Sequence, residues 1–262
     1  MLRFDISHQY KGTGVSIGLD RGLVVYHDDI LLLEEGMGLG SCALQTGGYT
    51  HFTSIASIKK TKDTIEVVYR IDKRLEWKVL GIQSHHFTRA LEYIATNLYM
   101  KHPKRQEWLL KLGGLLQRLF NVKACFVNVP ILGEVRITYE VSDSEILVDL
   151  SCETEATGSK LFVMNELGGS IFNKGILDGV LSAAPSGWQK IEGLCELYSQ
   201  VHSLAFTIVE RHIPDNVRST LYWGRELVTN NYCWAGFESE ISCDMNKFNH
   251  YRYSVKFREG VK

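Results

Sequence analysis

Apolar and polar side chains alternate over most of the chain, with the period of two that marks strands having one buried face. The clearest case runs from 134 to 150. Val135, Ile137, Tyr139 and Val141 alternate with Glu134, Arg136, Thr138 and Glu140, and Ser142, Asp143 and Ser144 supply turn chemistry before Ile146, Val148 and Leu150. The pattern predicts a hairpin there, and two more nearer the amino end. One joins Val15, Ile17 and Leu19 to Leu23–Tyr26 through a turn at 20–22. The other joins Ile65, Val67, Tyr69 and Ile71 to Leu75, Trp77 and Val79 through a turn at 72–74. Single strands are expected around Leu204, Phe206 and Ile208, and around Tyr251, Tyr253, Val255 and Phe257.

A last hairpin is expected from Thr220–Val228 and Tyr232–Ile241, turned by residues 229–231. On its first strand Leu221, Trp223, Arg225 and Leu227 share one side, opposite Tyr222, Gly224 and Glu226. On its second, Tyr232, Trp234, Gly236, Glu238 and Glu240 oppose Cys233, Ala235, Phe237 and Ile241. The second strand thus has an apolar side for a core and an aromatic, acidic side that a core does not need.

One block departs from the period of two. From Ser84, an N-cap residue type, Phe87, Leu91, Ile94, Ala95 and Leu98 recur at helical spacing, and Trp108, Leu112, Leu115, Leu116 and Leu119 repeat it after Pro103. A pair of amphipathic helices is expected over about 84–120, with Gly113 and Gly114 weakening the second. No linker-like or low-complexity stretch divides the chain, so residues 1–262 are read as a single domain. Strands before and after a helical insertion predict a mainly β fold: a large antiparallel β-sandwich carrying the helical pair. In layout this resembles the large β-sandwiches, or supersandwiches, of the galactose-mutarotase type. The likeness is one of layout alone and assigns no site residue.

Composition changes this picture little. Formal net charge is -1, so only a local patch could recruit nucleic acid or an anionic membrane surface. Residues 100–123 hold six basic residues against Glu107, which reads as a solvated helix face. Neither a secretory leader nor a run of about 18 apolar residues occurs, and a cytoplasmic location without membrane contact is expected. The six cysteines are scattered without metal-ligand spacing and read as reduced, mostly buried thiols; neither metal nor cofactor is implied.

Several motifs invite chemistry. The glycine-rich stretch 34–48 leads into another β pattern rather than a helix, so it reads as a bulged strand connection and not a phosphate loop. His27, Asp28 and Asp29 sit where a turn is due. In the stretch 161–169 a strand is expected to end in Asn165 and Glu166 before two glycines, delivering a carboxylate that desolvation could tune for proton transfer. In the last hairpin, Gly224 and Gly236 leave backbone bare beside large rings, a surface that suits a sugar lying on an indole while charged groups bond its hydroxyls.

The candidate set is therefore Glu166 and Glu238 as acid-base residues and Trp223, Arg225, Trp234 and Asn165 as ligand-binding residues, in a carbohydrate-directed protein that binds a sugar and isomerises or cleaves it. Whether any reaction follows binding is open from the sequence. Carboxyl groups about 5 to 5.5 Å apart would suit retaining hydrolysis, and about 6.5 to 9.5 Å inverting. The alternative is a non-catalytic scaffold that holds a partner, or its own copy as a homo-oligomer, through the helical pair. The sugar reading expects Trp234 and Glu238 to line a concave pocket. The scaffold reading expects that hairpin covered and apolar side chains exposed on the helices.

Overall fold

A computed structural model describes residues 2–6, 19–34, 36–94, 108, 111–115, 119–215, 217–228, 231–243 and 247–260. Among them the chain is mainly β, with 16 strands in one antiparallel sheet. A three-stranded sheet is formed by β1 (Leu2–Asp5), β2 (Val24–His27) and β3 (Ile30–Leu31). The large sheet begins with β4 (Gly38–Thr46), β5 (Tyr49–Lys60), β6 (Thr64–Val79) and β7 (Ile82–Gln83), followed by helix α1 (His85–Ile94). It continues through β8 (Lys123–Asn128), β9 (Gly133–Val141), β10 (Glu145–Thr154), β11 (Ser159–Gly168), β12 (Lys174–Leu177) and β13 (Val180–Ala183). The remaining strands are β14 (Gln189–Lys190), β15 (Cys195–Ser199), β16 (Leu204–His212), β17 (Arg218–Val228), β18 (Asn231–Cys243) and β19 (Lys247–Glu259).

The spatial order β13-β12-β15-β16-β19-β10-β9-β6-β5-β4-β11-β18-β17-β14 places two halves on either side of the β6–β5 pair. There the register slips at Phe52/Thr53 and Ile55/Ser57, and such bulges bend a sheet. The halves face one another. Tyr139 Oη on β9 donates to the Leu39 carbonyl on β4 at 3.0 Å, and Tyr253 Oη on β19 donates to Asn165 Oδ1 on β11 at 3.0 Å. Phe206 on β16 meets Phe237 on β18 edge-on at 5.3 Å, and Gly175 on β12 makes room for the Trp223 ring on β17. The result is a sandwich made from one doubled-over sheet, and its apolar inner faces form the core.

One turn expected from sequence is absent. Residues 72–74 do not reverse the chain. Thr64–Val79 is one strand, because β9 pairs its first half and β8 its second. Asp72 is absorbed at an irregularity, where its Oδ2 accepts from Ser54 Oγ at 2.7 Å. Residues 24–27 pair with β1 and β3, and Val15 and Ile17, on the first arm of the other hairpin expected there, lie outside the described residues. The hairpins β9–β10 and β17–β18 form as the alternation predicts, and Asp28 and Asp29 make the β2–β3 turn.

The helical insertion is present, with Ser84 capping α1 through its contact with the Phe87 amide at 3.4 Å. Its orientation is unexpected. Thr88 and Glu92 are buried while Tyr93 and Ile94 are exposed, because Thr88 Oγ1 accepts the Trp77 amide at 3.1 Å and Glu92 accepts from Thr50 Oγ1 at 2.6 Å. Residues 108, 111–115 and 119–120 are also helical, and Trp108, Leu115 and Leu119 are exposed. Ala95, Leu98 and Leu116 lie outside the described residues. Cys42, Cys125, Cys152 and Cys195 are free thiols, three of them buried.

Candidate functional site

Pairing across β4, β11, β18, β17 and β14 decides which candidate side chains meet. Glu166 lies opposite Gly38 on one side and Gly236 on the other, and Gly236 lies opposite Gly224. Gly187 and Trp188 pack onto Gly224: a Cβ there would stand 2.0 Å from the Gly187 carbonyl oxygen. One row across the sheet therefore reads Gly38, Glu166, Gly236, Gly224, Trp188. The neighbouring row reads Gly168, Trp234, Glu226, and the row on the other flank reads Met164, Glu238, Tyr222, Lys190. Side chains in these three rows project from the outer face of the sandwich, because alternate residues on each strand supply the core. Four glycines flank Glu166, and each admits a close neighbour: the Gly22–Leu23 backbone at Gly38, Glu34 and Ile171 at Gly168, the Gly187 carbonyl at Gly224 and the Asn165 carbonyl at Gly236.

The electrostatics follow from burial. Glu166 and Glu238 are diagonal neighbours across β11 and β18, an arrangement with positions about 7–8 Å apart. Removal from water pushes the Glu166 carboxyl up to about 8. The Met37 amide, which donates to its Oε2 at 3.0 Å, and Arg21 oppose the rise, and Glu226 adds to it. Glu238 is likewise raised to about 8, by burial first and then by the charges of Glu166, Glu240 and Glu226. No hydrogen bond to Glu238 occurs among the described residues. Trp234 Nε1 donates to Glu226 Oε2 at 2.8 Å, and its ring stacks on Trp188 at 4.5 Å and 27°. The Trp188 Nε1 donor is buried without a partner. Glu240 pairs with Lys160 at 2.5 Å.

The six residues singled out in the sequence divide between two faces. Glu166, Glu238 and Trp234 share the outer face just described. Asn165, Trp223 and Arg225 lie on the opposite, inner side. Asn165 Oδ1 accepts from the Gly40 amide and from Tyr253 Oη, both at 3.0 Å; Trp223 packs in the core; Arg225 reaches the Gly169 carbonyl at 3.4 Å. Two details differ from expectation. Glu166 does not end its strand, since β11 continues to Gly168, and Gly224 is not bare but holds the 187–188 backbone. Sequence reasoning missed Trp188, Glu226, Gly38 and Gly168. Trp188 had no signal, because it stands just before a strand of only two residues, whereas Glu226 was legible as the cross-strand neighbour of Trp234 once the hairpin register was drawn.

None of the six is more than 9 % exposed. Trp234 and Glu238 keep only 8 % and 9 %, so they are covered and do not line the concave pocket that the sugar reading expects. Trp188 stacks on Trp234, and Met164, opposite Glu238, belongs to a small apolar cluster with Leu19, Met37, Ala43, Phe52, Phe126 and Phe162. An open depression of about 570 Å³ lies elsewhere, lined by Glu140, Glu145 and Arg211 among others. Among the described residues no group of three or more His, Cys, Asp or Glu is arranged to hold a metal, and no helix is long and apolar enough to cross a membrane.

No protein-family model matches the chain, and no curated protein matches its sequence. Solved structures similar in fold include a heparan sulfate lyase mutant from Pedobacter heparinus, with TM-score 0.47 and 10% identity over 93% of this chain and 31% of that one. They also include a 4-alpha-glucanotransferase from Thermococcus litoralis, with TM-score 0.37 and 7% identity over 85% of this chain and 27% of that one. The chain thus spans about a third or less of the length of either. Likeness at these scores speaks neither for nor against a ligand.

Proposed function

We propose that this is a carbohydrate-directed β-sandwich protein whose sugar surface is the outer face of β11, β18 and β17, with Glu166 and Glu238 as the acid-base pair and Trp234 as the platform. The observation that carries this reading is the buried carboxylate pair itself. Two like-charged groups held out of water on one sheet face weigh against folding, and such arrangements concentrate at sites where proton transfer is needed. The stacked Trp188 and Trp234 rings stand beside those groups, and an indole is the apolar surface a sugar ring lies on.

The two carboxyls differ in ways that suit different roles. Burial raises both carboxyls to about 8, and Glu166, which accepts a backbone amide and has Arg21 nearby, is the one of the two whose ionised form has support, so it serves as the base once the pair loses a proton. Glu238 faces other carboxylates, which favours the protonated form, so it is the acid that protonates a ring or glycosidic oxygen. Asn165, Trp223 and Arg225 support the face from behind, where Asn165 ties β11 to β19 and Arg225 ties β17 to the 185–187 backbone. Sugar binding screened by glycan array and thermal shift tests the reading. Binding that is lost in Trp234→Ala supports it, whereas no sugar bound, or binding indifferent to that substitution, removes it.

A second reading has a specific observation in its favour. The hairpin side chains are covered, while α1 and the segment after it turn Tyr93, Ile94, Trp108 and Leu115 outward. That is the pattern of a protein that uses its helical insertion to bind a partner or a second copy. Light scattering of the wild type and of Trp108→Glu distinguishes a homo-oligomer, which the substitution would dissociate, from a monomer.

A further inference from the structure

The two ends of the strand order meet solvent differently. β14 is two residues long and carries Lys190, and both features keep an edge from pairing with another chain. β13, at the other end, pairs with β12 alone and has no charge, proline or bulge. Asp178 and Gly179, both in the left-handed region at φ 49° and 83°, hold β12 and β13 as a tight hairpin. Every β13 residue is exposed, Val180 at 68 % and Leu181 at 51 %, and Leu177 and Leu194 near the turn are exposed as well. The ladder also fixes which backbone groups point outward. Gly175 lies opposite Ser182, and the Ala184 amide donates to the Asn173 carbonyl at 3.2 Å. Hydrogen bonds of an antiparallel pair fall on alternate residues, so Val180, Ser182 and Ala184 bond to β12, while the amides and carbonyls of Leu181 and Ala183 face away from it. Among the described residues these outward groups meet no backbone partner. Ser182 Oγ reaches the Ala183 carbonyl at 3.2 Å, which retains a second lone pair.

We infer that β13 is a pairing edge for a second copy of this chain, joining two sandwiches through one continuous antiparallel sheet. The edge is complementary to itself. About a two-fold axis at Ser182, Leu181 of each copy faces Ala183 of the other, and because each of these residues offers one outward amide and one outward carbonyl, every outward donor finds an acceptor. No charged side chain on β13 opposes the approach, and the small Ser182 and Ala183 let the backbones close. Leu181 of each copy lies across the other's Ala183, which takes apolar surface out of water on both sides of the axis. A contact that uses the same patch on both partners closes at two copies. The strand is short, so this contact belongs to the weak, transient class that buries less than about 1,200 Å² in total. It is separate from the helical side chains of the second reading above and does not depend on the carbohydrate reading.

The test is sedimentation equilibrium of the full chain from about 1 μM to about 1 mM, the range in which weak contacts associate. The expected result is a mass that rises toward that of a dimer. Ala183→Pro removes one outward amide without touching the β12 ladder, and Leu181→Lys brings like charges together across the axis; each should weaken association about tenfold or more while circular dichroism and Tm stay as in the wild type. Register is read separately. Ser182→Cys would meet its own copy with about 4.5 Å between Cα atoms and should oxidise to a disulfide-linked dimer beyond the wild-type background, whereas Val180→Cys, which faces the other copy's Ala184, should not. A chain that stays monomeric throughout overturns the inference, as does association that both edge variants leave unchanged. Association that Trp108→Glu abolishes and the edge variants spare belongs to the helices and overturns it too.

Discussion

Replacing Glu238 by glutamine should stabilise the protein, and only at high pH. A carboxyl whose folded pKa lies above its unfolded value costs nothing while both states are protonated. It weighs increasingly against folding as pH rises past the unfolded value of 4.5, and fully once the folded group ionises above about 8. At about 1.4 kcal/mol per pKa unit, that displacement amounts to roughly 5 kcal/mol at most. Glutamine keeps the shape but must still bury an amide with no described partner, a cost of about 1–3 kcal/mol. The net expectation is a gain of about 2–4 kcal/mol at pH 9, or roughly 5–15 °C in Tm for a domain of this size. At pH 5 the gain should vanish or reverse. Urea unfolding of wild type and Glu238→Gln at pH 5, 7 and 9, with equal m-values, measures this directly. Equal stability at pH 9, or a wild type that grows more stable between pH 5 and 8, would refute the account of two buried, mutually repelling carboxyls.

Other substitutions probe the frame around the site. Gly224→Ala drives a Cβ into the Gly187 carbonyl and should cost about 1–3 kcal/mol while separating Trp188 from Trp234, visible as loss of near-UV circular dichroism from the stacked pair. Phe237→Ala empties a fully buried position between the two layers and should cost about 3–5 kcal/mol in chemical denaturation. Tyr253→Phe removes one donor from Asn165 Oδ1, which keeps the Gly40 amide, so a loss of about 1 kcal/mol is expected. Thr88→Val leaves the Trp77 amide without its acceptor and should raise hydrogen exchange in α1 while sparing the β9–β10 hairpin.

Much of the sheet was legible because burial on one face imposes a period of two wherever the strand lies. Val135, Ile137 and Tyr139 announce β9, and alternation separated Trp234 and Glu238 from Ala235 and Phe237 on β18, although a register shift at Glu226/Leu227 breaks the pattern near the turn. The turn expected at residues 72–74 shows the limit of that logic. Polar residues mark turns only when no neighbouring strand claims their backbone, and β8 and β9 claim both sides of β6. Helix α1 shows another, since its apolar stripe predicted the buried face while hydrogen bonds from Thr50 and the Trp77 amide turned Thr88 and Glu92 inward instead.

Alone, the sequence determined that this chain is a large antiparallel β structure with a helical insertion, and that an aromatic, acidic side exists on β18. Both follow from local spacing along one strand. The tertiary structure decided which of those side chains meet. Glu166 comes beside Glu238 only because β11 pairs with β18, and Trp188, far along the chain from Trp234 in any local pattern, reaches it only because Gly224 admits the 187–188 backbone. The same register sends Asn165, Trp223 and Arg225 to the inner face. Periodicity fixes the side of a strand that a residue occupies, whereas its neighbours across the sheet depend on pairings between distant segments that no local pattern encodes.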